Sequence, residues 1–240
     1  MTGEAEDGFA FLIARLRTCD TPTVCNAIEV AQGRRGFSNF THRTMIWAGT
    51  PGRRIVGYAR TARIAGRAPP SDPPGAVRER RMAYFRAMAL GPRPAVAVVE
   101  DADGDAAIGA WWGEVHARVH GAVFGLEGAV TNGLVRDLDD LPDSFPILAG
   151  AVGPSHGFVH VRDVGTPVDI FGLHVREGDL VHADRNGAVA VPSEVLPALG
   201  GALDTLLSSE EILLGPLRRG EPVDAEAFEG LWKRFEDART

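Results

Sequence analysis

The chain has 240 residues, of which 45% are hydrophobic, enough to bury most of its apolar surface in one core or in two closely joined ones. Its formal net charge of −7 argues against nucleic acid as a partner, because that footprint needs a continuous basic face. The longest apolar runs, such as Pro94–Val99, fall far short of the ~20 residues that cross a bilayer. The N-terminus places acids, not a basic cluster, ahead of its first apolar segment, so no secretory signal and a cytoplasmic location are expected.

Taken in chain order, FAFLIARL and Thr23–Gln32 carry apolar residues near helical spacing, with Asp20-Thr21-Pro22-Thr23 as a cap and start signal. RIVGYARTARIAG alternates as a strand. A proline-rich loop from Pro69 to Pro74 leads into a helix over Ala76–Leu90. AVAVVEDA is a near-continuous apolar run that ends in acids, as expected of a buried strand whose C-terminal end faces a site. Gly113–His120 reads as a helix, Gly128–Thr131 as a short strand and FPILAGAV as another, with a helical turn after Arg136-Asp137. FVHVRD, VDIFGLHV, GDLVHAD and GAVAVP then read as a β-meander, and the tail from Ser193 as helical. The expected architecture is a single α/β domain over residues 1–195, with a helical C-terminal arm over 196–240.

One count constrains the chemistry. Lys233 is the only lysine in the chain, and it lies in a polar stretch that reads as an exposed helix. Schiff-base and pyridoxal chemistry both need a desolvated lysine, so carbanion stabilisation here requires another route. Cys19 and Cys25 are six residues apart and read as a reduced pair of small, semi-buried residues.

The densest chemical signal lies between residues 109 and 141. Gly113-Glu114 opens a helix, whose unpaired N–H groups suit a carboxylate. Arg136-Asp137 follows a strand and the Asn132-Gly133 turn, offering a guanidinium for an oxyanion beside a carboxylate for a hard cation. Mg²⁺ keeps several waters and needs only one or two carboxylates, so Asp137 with Glu114 acting through water is a sufficient set. The Gly153-Pro154-Ser155-His156-Gly157 segment fits a nucleophile pattern but lacks the following helix. It reads as a turn, with His156 available to line a pocket. His116 and His120 read as ordinary helix histidines, and Trp111 and Trp112 as core or interface aromatics.

The run GEVHARVHGAVFGLEGAVTNGLVRDLDDL resembles the signature region of the RraA-like family, which includes 4-hydroxy-4-methyl-2-oxoglutarate aldolase and oxaloacetate decarboxylase. TPTVCNAIE, RIVGYARTAR and VREGDLVHADRNGAVAVP resemble that family's helix entry, first core strand and late hairpin, so the likeness spans roughly residues 20–195. The resemblance implies a β-β-α swivelling-type α/β fold, a homotrimer or homohexamer with active sites between subunits, and Mg²⁺ or Mn²⁺ as cofactor. It further implies that Arg136 binds a small 2-oxo acid and steadies its enolate, and that Asp137 holds the metal. The Ala110-Trp111-Trp112-Gly113-Glu114 segment would hold the substrate carboxylate, with Glu114 steering proton transfer. Glu210 or Glu211 corresponds to a carboxylate lent by a neighbouring subunit. The chain departs from the aldolases at Glu114, where they usually carry aspartate, in the Glu114–Arg136 interval, which is one residue longer, and at Asn26, where many relatives have aspartate. The family also includes regulators that bind an RNA-degrading endonuclease; the presence of both Arg136 and Asp137 favours the enzyme.

Overall fold

The computed structural model describes residues 3–239, with side chains from Gly8 to Arg239. The first half contains helices α1 (Gly3–Leu16) and α2 (Thr21–Ala31), strands β1 (Ile46–Ala48) and β2 (Ile55–Ala65) and helix α3 (Pro74–Ala89). Strands β3 (Ala95–Asp101) and β4 (Ala110–Trp112) and helix α4 (Glu114–Arg118) follow. Then come β5 (Ala129–Thr131), β6 (Leu134–Val135), β7 (Ile147–Ala149), β8 (Ala151–Val152) and β9 (His160–Val164). The chain ends with β10 (Val168–Ile170), β11 (Leu173–Val175), β12 (Leu180–Asp184), β13 (Gly187–Val191), α5 (Leu196–Arg218) and α6 (Ala225–Asp237).

Two compact units divide the chain: Met1–Thr21 with Ser38–Val191, and Pro22–Phe37 with Pro192–Thr240. In the second unit α5 packs on α6, whose start is capped by Asp224 accepting the Ala227 N–H at 2.8 Å. Lys233 is exposed on α6. Neither Cys19 nor Cys25 is in a disulfide. Among the described residues no helix is long and apolar enough to cross a membrane.

The first unit is built on an eight-stranded sheet in the order β1-β7-β5-β3-β2-β12-β13, with β9 also paired to β2. Strands β2, β3, β5 and β7 run parallel. The long β2 serves two partners on one edge, β12 along Ile55–Tyr58 and β9 along Ala62–Ala65, the latter pairing interrupted by a bulge at Arg63/Ile64. Side-chain alternation divides β3 between two cores. Ala95, Ala97 and Val99 face one cluster with Tyr84 and Met88 of α3, while Val96 and Val98 face another with Val168, Ile170, Leu173 and Val175. This two-sided burial explains the unbroken apolar run of AVAVVED, and each fully buried valine contributes about 1.5–3 kcal/mol.

The three-stranded second sheet, β4-β6-β8, consists of chain segments that continue from the first. The chain runs from β3 to β4, from β5 to β6 and from β7 to β8, leaving the large sheet each time. FPILAGAV is therefore two strands and not one, because Gly150 breaks it at the corner between the sheets. A Cβ at Gly150 would stand 2.1 Å from the Asn132 carbonyl oxygen, a backbone atom that cannot yield. Asn132 braces the same corner, donating through Nδ2 to the Asp101 carbonyl at 3.0 Å and accepting the Asp101 N–H at 2.7 Å. Two further segments differ from expectation. VDIFGLHV is a hairpin that reverses at Phe171-Gly172, where both residues have positive φ. The Gly113–His120 helix is α only over Glu114–Arg118 and then widens into a π turn over Val119–Val123. At that point the His120 ring donates to the His116 carbonyl at 2.6 Å and competes with the regular ladder.

Gly150→Ala is expected to lower unfolding free energy by about 2 kcal/mol or more through this backbone collision. Urea titration of the variant against its parent measures it, and an unchanged midpoint would refute the corner geometry.

Candidate functional site

Parallel pairing of β4 with β6 aligns Trp112 with Val135, so the residues that follow each strand emerge side by side. The Arg136 N–H donates to the Trp112 carbonyl at 2.9 Å and extends this register by one residue. Asp137 then turns back with φ of 57°, a left-handed conformation that aspartate tolerates better than most residues. The turn brings its Oδ2 to 3.1 Å from the Glu114 N–H and 3.7 Å from Arg136 Nε. Gly113 makes this approach possible, since a Cβ there would lie 2.4 Å from Asp137 Oδ2 and 3.0 Å from Arg136 Cγ.

Arg136 is 34% exposed, and among the described residues its guanidinium makes no polar contact closer than that 3.7 Å. Arg60 differs: it is buried and spends its guanidinium on the carbonyls of Leu90, Pro92 and Ala59. Arg136 instead lines a cavity of about 470 Å³ together with Ala110, Trp111, Gly113, Arg81 and three histidines, His116, His156 and His160.

Behind the cavity a hydrogen-bonded chain fixes the ring positions. Trp111 Nε1 donates to the Tyr84 hydroxyl at 3.3 Å, and that hydroxyl lies 2.7 Å from His120 Nε2. His120 Nδ1 donates to the His116 carbonyl, so its Nε2 accepts from Tyr84. Burial raises the Tyr84 pKa and lowers that of His120 to about 3, the latter with help from neighbouring His116. His116, 4.5 Å from the Trp111 ring centroid, is pushed down to about 4, mainly by burial and also by the charges of Arg81 and Arg136.

Of the residues expected at the site, Ala110, Trp111, Gly113 and Arg136 line the cavity. Trp112, Glu114 and Asp137 are not among its lining residues. Trp112 is fully buried in the core, its ring 5.7 Å from that of Phe145. The Glu114 carboxylate is held by Arg118 at 2.7 Å, and its N–H is already taken by Asp137, so part of the expected carboxylate cradle is occupied from within. Arg81, His116 and His160 were not singled out by sequence as pocket residues. Arg81 sits in a run that resembles a solvated helix face, and β9 carries His160 in from a segment remote in sequence. No helix follows Ser155, whose Oγ accepts the Gly157 N–H at 3.1 Å in a turn.

Among the described residues no cluster of three or more His, Cys, Asp or Glu side chains is arranged to hold a metal. A caged zinc or calcium ion therefore does not fit. A magnesium-type ion does, because it takes one or two carboxylates and keeps its waters. Asp137, one-third exposed beside a position that only glycine can fill, offers one such carboxylate.

A curled mixed sheet whose parallel strands run on into a second small sheet, with C-terminal helices, defines the class of α/β protein. The chain belongs to the RraA-like family: the family model described as Aldolase/RraA matches residues 21–190. An uncharacterised protein of Methanocaldococcus jannaschii is 28% identical over 114 residues, 47% of this chain. That match spans 54% of the relative, so the chain covers only about half its length. The fold is shared with an uncharacterised protein of Pseudomonas syringae pv. tomato, at TM-score 0.65 and 19% identity over 96% of this chain and 98% of that one. A Streptomyces coelicolor protein, described as an unusual member of the RNase ES inhibitor RraA family, has TM-score 0.60 and 23% identity over 83% and 92% of the two chains.

Because His116 binds protons more weakly when folded, the unfolded chain takes them up first as pH falls through about 6.5. The stability that depends on a neutral ring is present above that pH and is lost toward about 4. Asp101, pushed up to about 6 by burial, acts in the opposite direction, so a difference between variants is the clean measurement. His116→Leu is expected to remove about 1.4 kcal/mol per pH unit of this slope between pH 6 and 4. Unfolding titrations of variant and parent test it, and identical slopes would show that His116 charges freely in the folded state.

Proposed function

We propose that this protein is a divalent-metal-dependent lyase that cleaves a carbon–carbon bond of a small 2-oxo acid through a pyruvate enolate. Retro-aldol cleavage of a 4-hydroxy-4-methyl-2-oxoglutarate-type substrate and decarboxylation of oxaloacetate share that enolate, so one site serves both. The observation that carries this reading is Arg136, a half-buried guanidinium that lines a cavity and is not spent on structure. Membership of a family that includes metal-dependent aldolases supports it.

In this reading Arg136 holds the 2-oxo acid and faces the negative charge that develops as the bond breaks, in a setting partly shielded from water. Asp137, positioned by the Glu114 N–H, would hold Mg²⁺ or Mn²⁺ with bound waters. Such a cation supplies Lewis-acid polarisation of the keto group when bound. Trp111 walls the cavity, its indole fixed by Tyr84. A lysine route is disfavoured because Lys233 is exposed on α6. A homotrimer or homohexamer with sites between copies accompanies the proposal, with Glu210 or Glu211 as a contribution from a neighbour.

The S. coelicolor relative's description points to a second role, inhibition of an RNase, but such binding gives no reason for a cavity with an uncommitted arginine. The test is release of pyruvate from oxaloacetate with added Mg²⁺ or Mn²⁺. Arg136→Ala is expected to lower kcat/KM by about 10²–10³-fold. Asp137→Asn, which can still accept the Glu114 N–H, should abolish the metal dependence while leaving the melting temperature nearly unchanged. Retention of full activity in both variants would overturn the proposal.

A further inference from the structure

Cleavage of a hydroxylated 2-oxo acid requires a base for the hydroxyl proton, and the residues nearest to hand are spent. Glu114 is held by Arg118 and does not line the cavity. His120 is locked between Tyr84 and the His116 carbonyl. Two of the cavity histidines also have their free nitrogens closed off. His160 is 4% exposed; its Nδ1 donates to the Phe158 carbonyl at 2.8 Å, and its Nε2 is buried without a partner. His116 has a buried, unpartnered Nδ1, and its ring is engaged by a hydrogen bond that it donates to the Trp111 backbone.

His156 is different. It is exposed and lines the same cavity as Arg136. Its Nδ1 lies 2.7 Å from the Gly157 carbonyl, and a carbonyl can only accept, so Nδ1 carries the hydrogen and the neutral ring presents Nε2 as a bare acceptor. The loop that bears it is strapped down on both sides. The Ser155 carbonyl accepts the Ala110 N–H at 2.8 Å, tying the loop to the start of β4. The His156 carbonyl accepts the Val159 N–H at 3.1 Å, and the Phe158 N–H donates to Gly66 at 2.9 Å. A ring on a loop so anchored is placed, not left to wander.

We infer that His156 is the base for aldol cleavage: its Nε2 receives the hydroxyl proton of a 4-hydroxy-2-oxo acid whose oxo-acid end lies at Arg136. This rests on the lyase reading above and adds to it the residue that distinguishes the two substrates. As the proton passes to Nε2, the carbinol C–O becomes a carbonyl and the adjacent C–C bond breaks. Its electron pair stays on the three-carbon fragment as the pyruvate enolate. The enolate carbon takes a proton from water and the imidazolium releases its own to solvent, so the two carbonyl products contain every atom of the substrate and no oxidant or reductant is consumed. Oxaloacetate has no such hydroxyl, and loss of carbon dioxide needs no base at that position.

The experiment compares both reactions in the full-length, metal-loaded protein and in His156→Gln and His156→Ala. For the hydroxylated substrate kcat should fall by about 10²–10³-fold in each variant. Oxaloacetate decarboxylation should stay within about threefold of the parent, the small change expected when no proton transfer is lost. Added imidazole should restore cleavage to His156→Ala and leave His156→Gln, whose side chain fills the space, unrescued. Aldol cleavage within threefold of the parent, or equal losses in both reactions without rescue, would overturn the inference while leaving the lyase reading intact. A parent protein inactive on both substrates would remove the lyase reading itself and the inference with it.

Discussion

The functional geometry depends on one short parallel pairing, β4 against β6. It forces the segments that follow the two strands to leave the sheet together, and the hydrogen bond from the Arg136 N–H to the Trp112 carbonyl carries that register into the site. Everything polar there is then a matter of single residues: Gly113 makes room, Asp137 folds back, and Arg136 is left facing the cavity. A side chain at 113, or a register shift by one residue, would rotate the guanidinium and carboxylate away from each other.

This arrangement explains why two neighbours in sequence can have unlike duties. Asp137 satisfies the helix start of α4 with one oxygen and so fixes its own orientation. Arg136 receives no comparable restraint from the protein, and its orientation is set by backbone and packing. Behind it, the Trp111–Tyr84–His120 chain gives a wall of rings in which each polar atom named has a partner. The cavity therefore combines rigid aromatic support with a few uncommitted polar groups, the combination expected of a small-molecule site.

Much of this was legible in the sequence for physical reasons. β3 announced itself as an apolar run because both of its faces are buried, and α3 because a proline-rich loop leads into it and supplies its first residue, Pro74. Arg136 and Gly113, which line the cavity, were legible from the turn and the helix start beside them, whereas Asp137 accepts the Glu114 N–H and does not line the cavity. What was hidden depended on contacts remote in sequence. FPILAGAV contains no polar break, and only the crowding of Gly150 against Asn132 divides it. Trp112 and Trp111 are adjacent, yet strand alternation sends one into the core and lets the other line the cavity. His160 and Arg81 reach the cavity from β9 and α3, and nothing local in either segment signals it.

The continuity of β3, β5 and β7 into β4, β6 and β8 has a bearing on motion. Active sites are commonly carried on loops drawn from the least stable part of a fold, where local opening costs little. Here the strands that present Gly113 and Arg136 follow in the chain from the buried strands β3 and β5, and the corner after β5 is braced by Asn132. Amide hydrogens along β4 and β6 should thus exchange at rates that track global unfolding, so that any flexibility at the cavity comes from the surrounding loops and not from the strands beneath it.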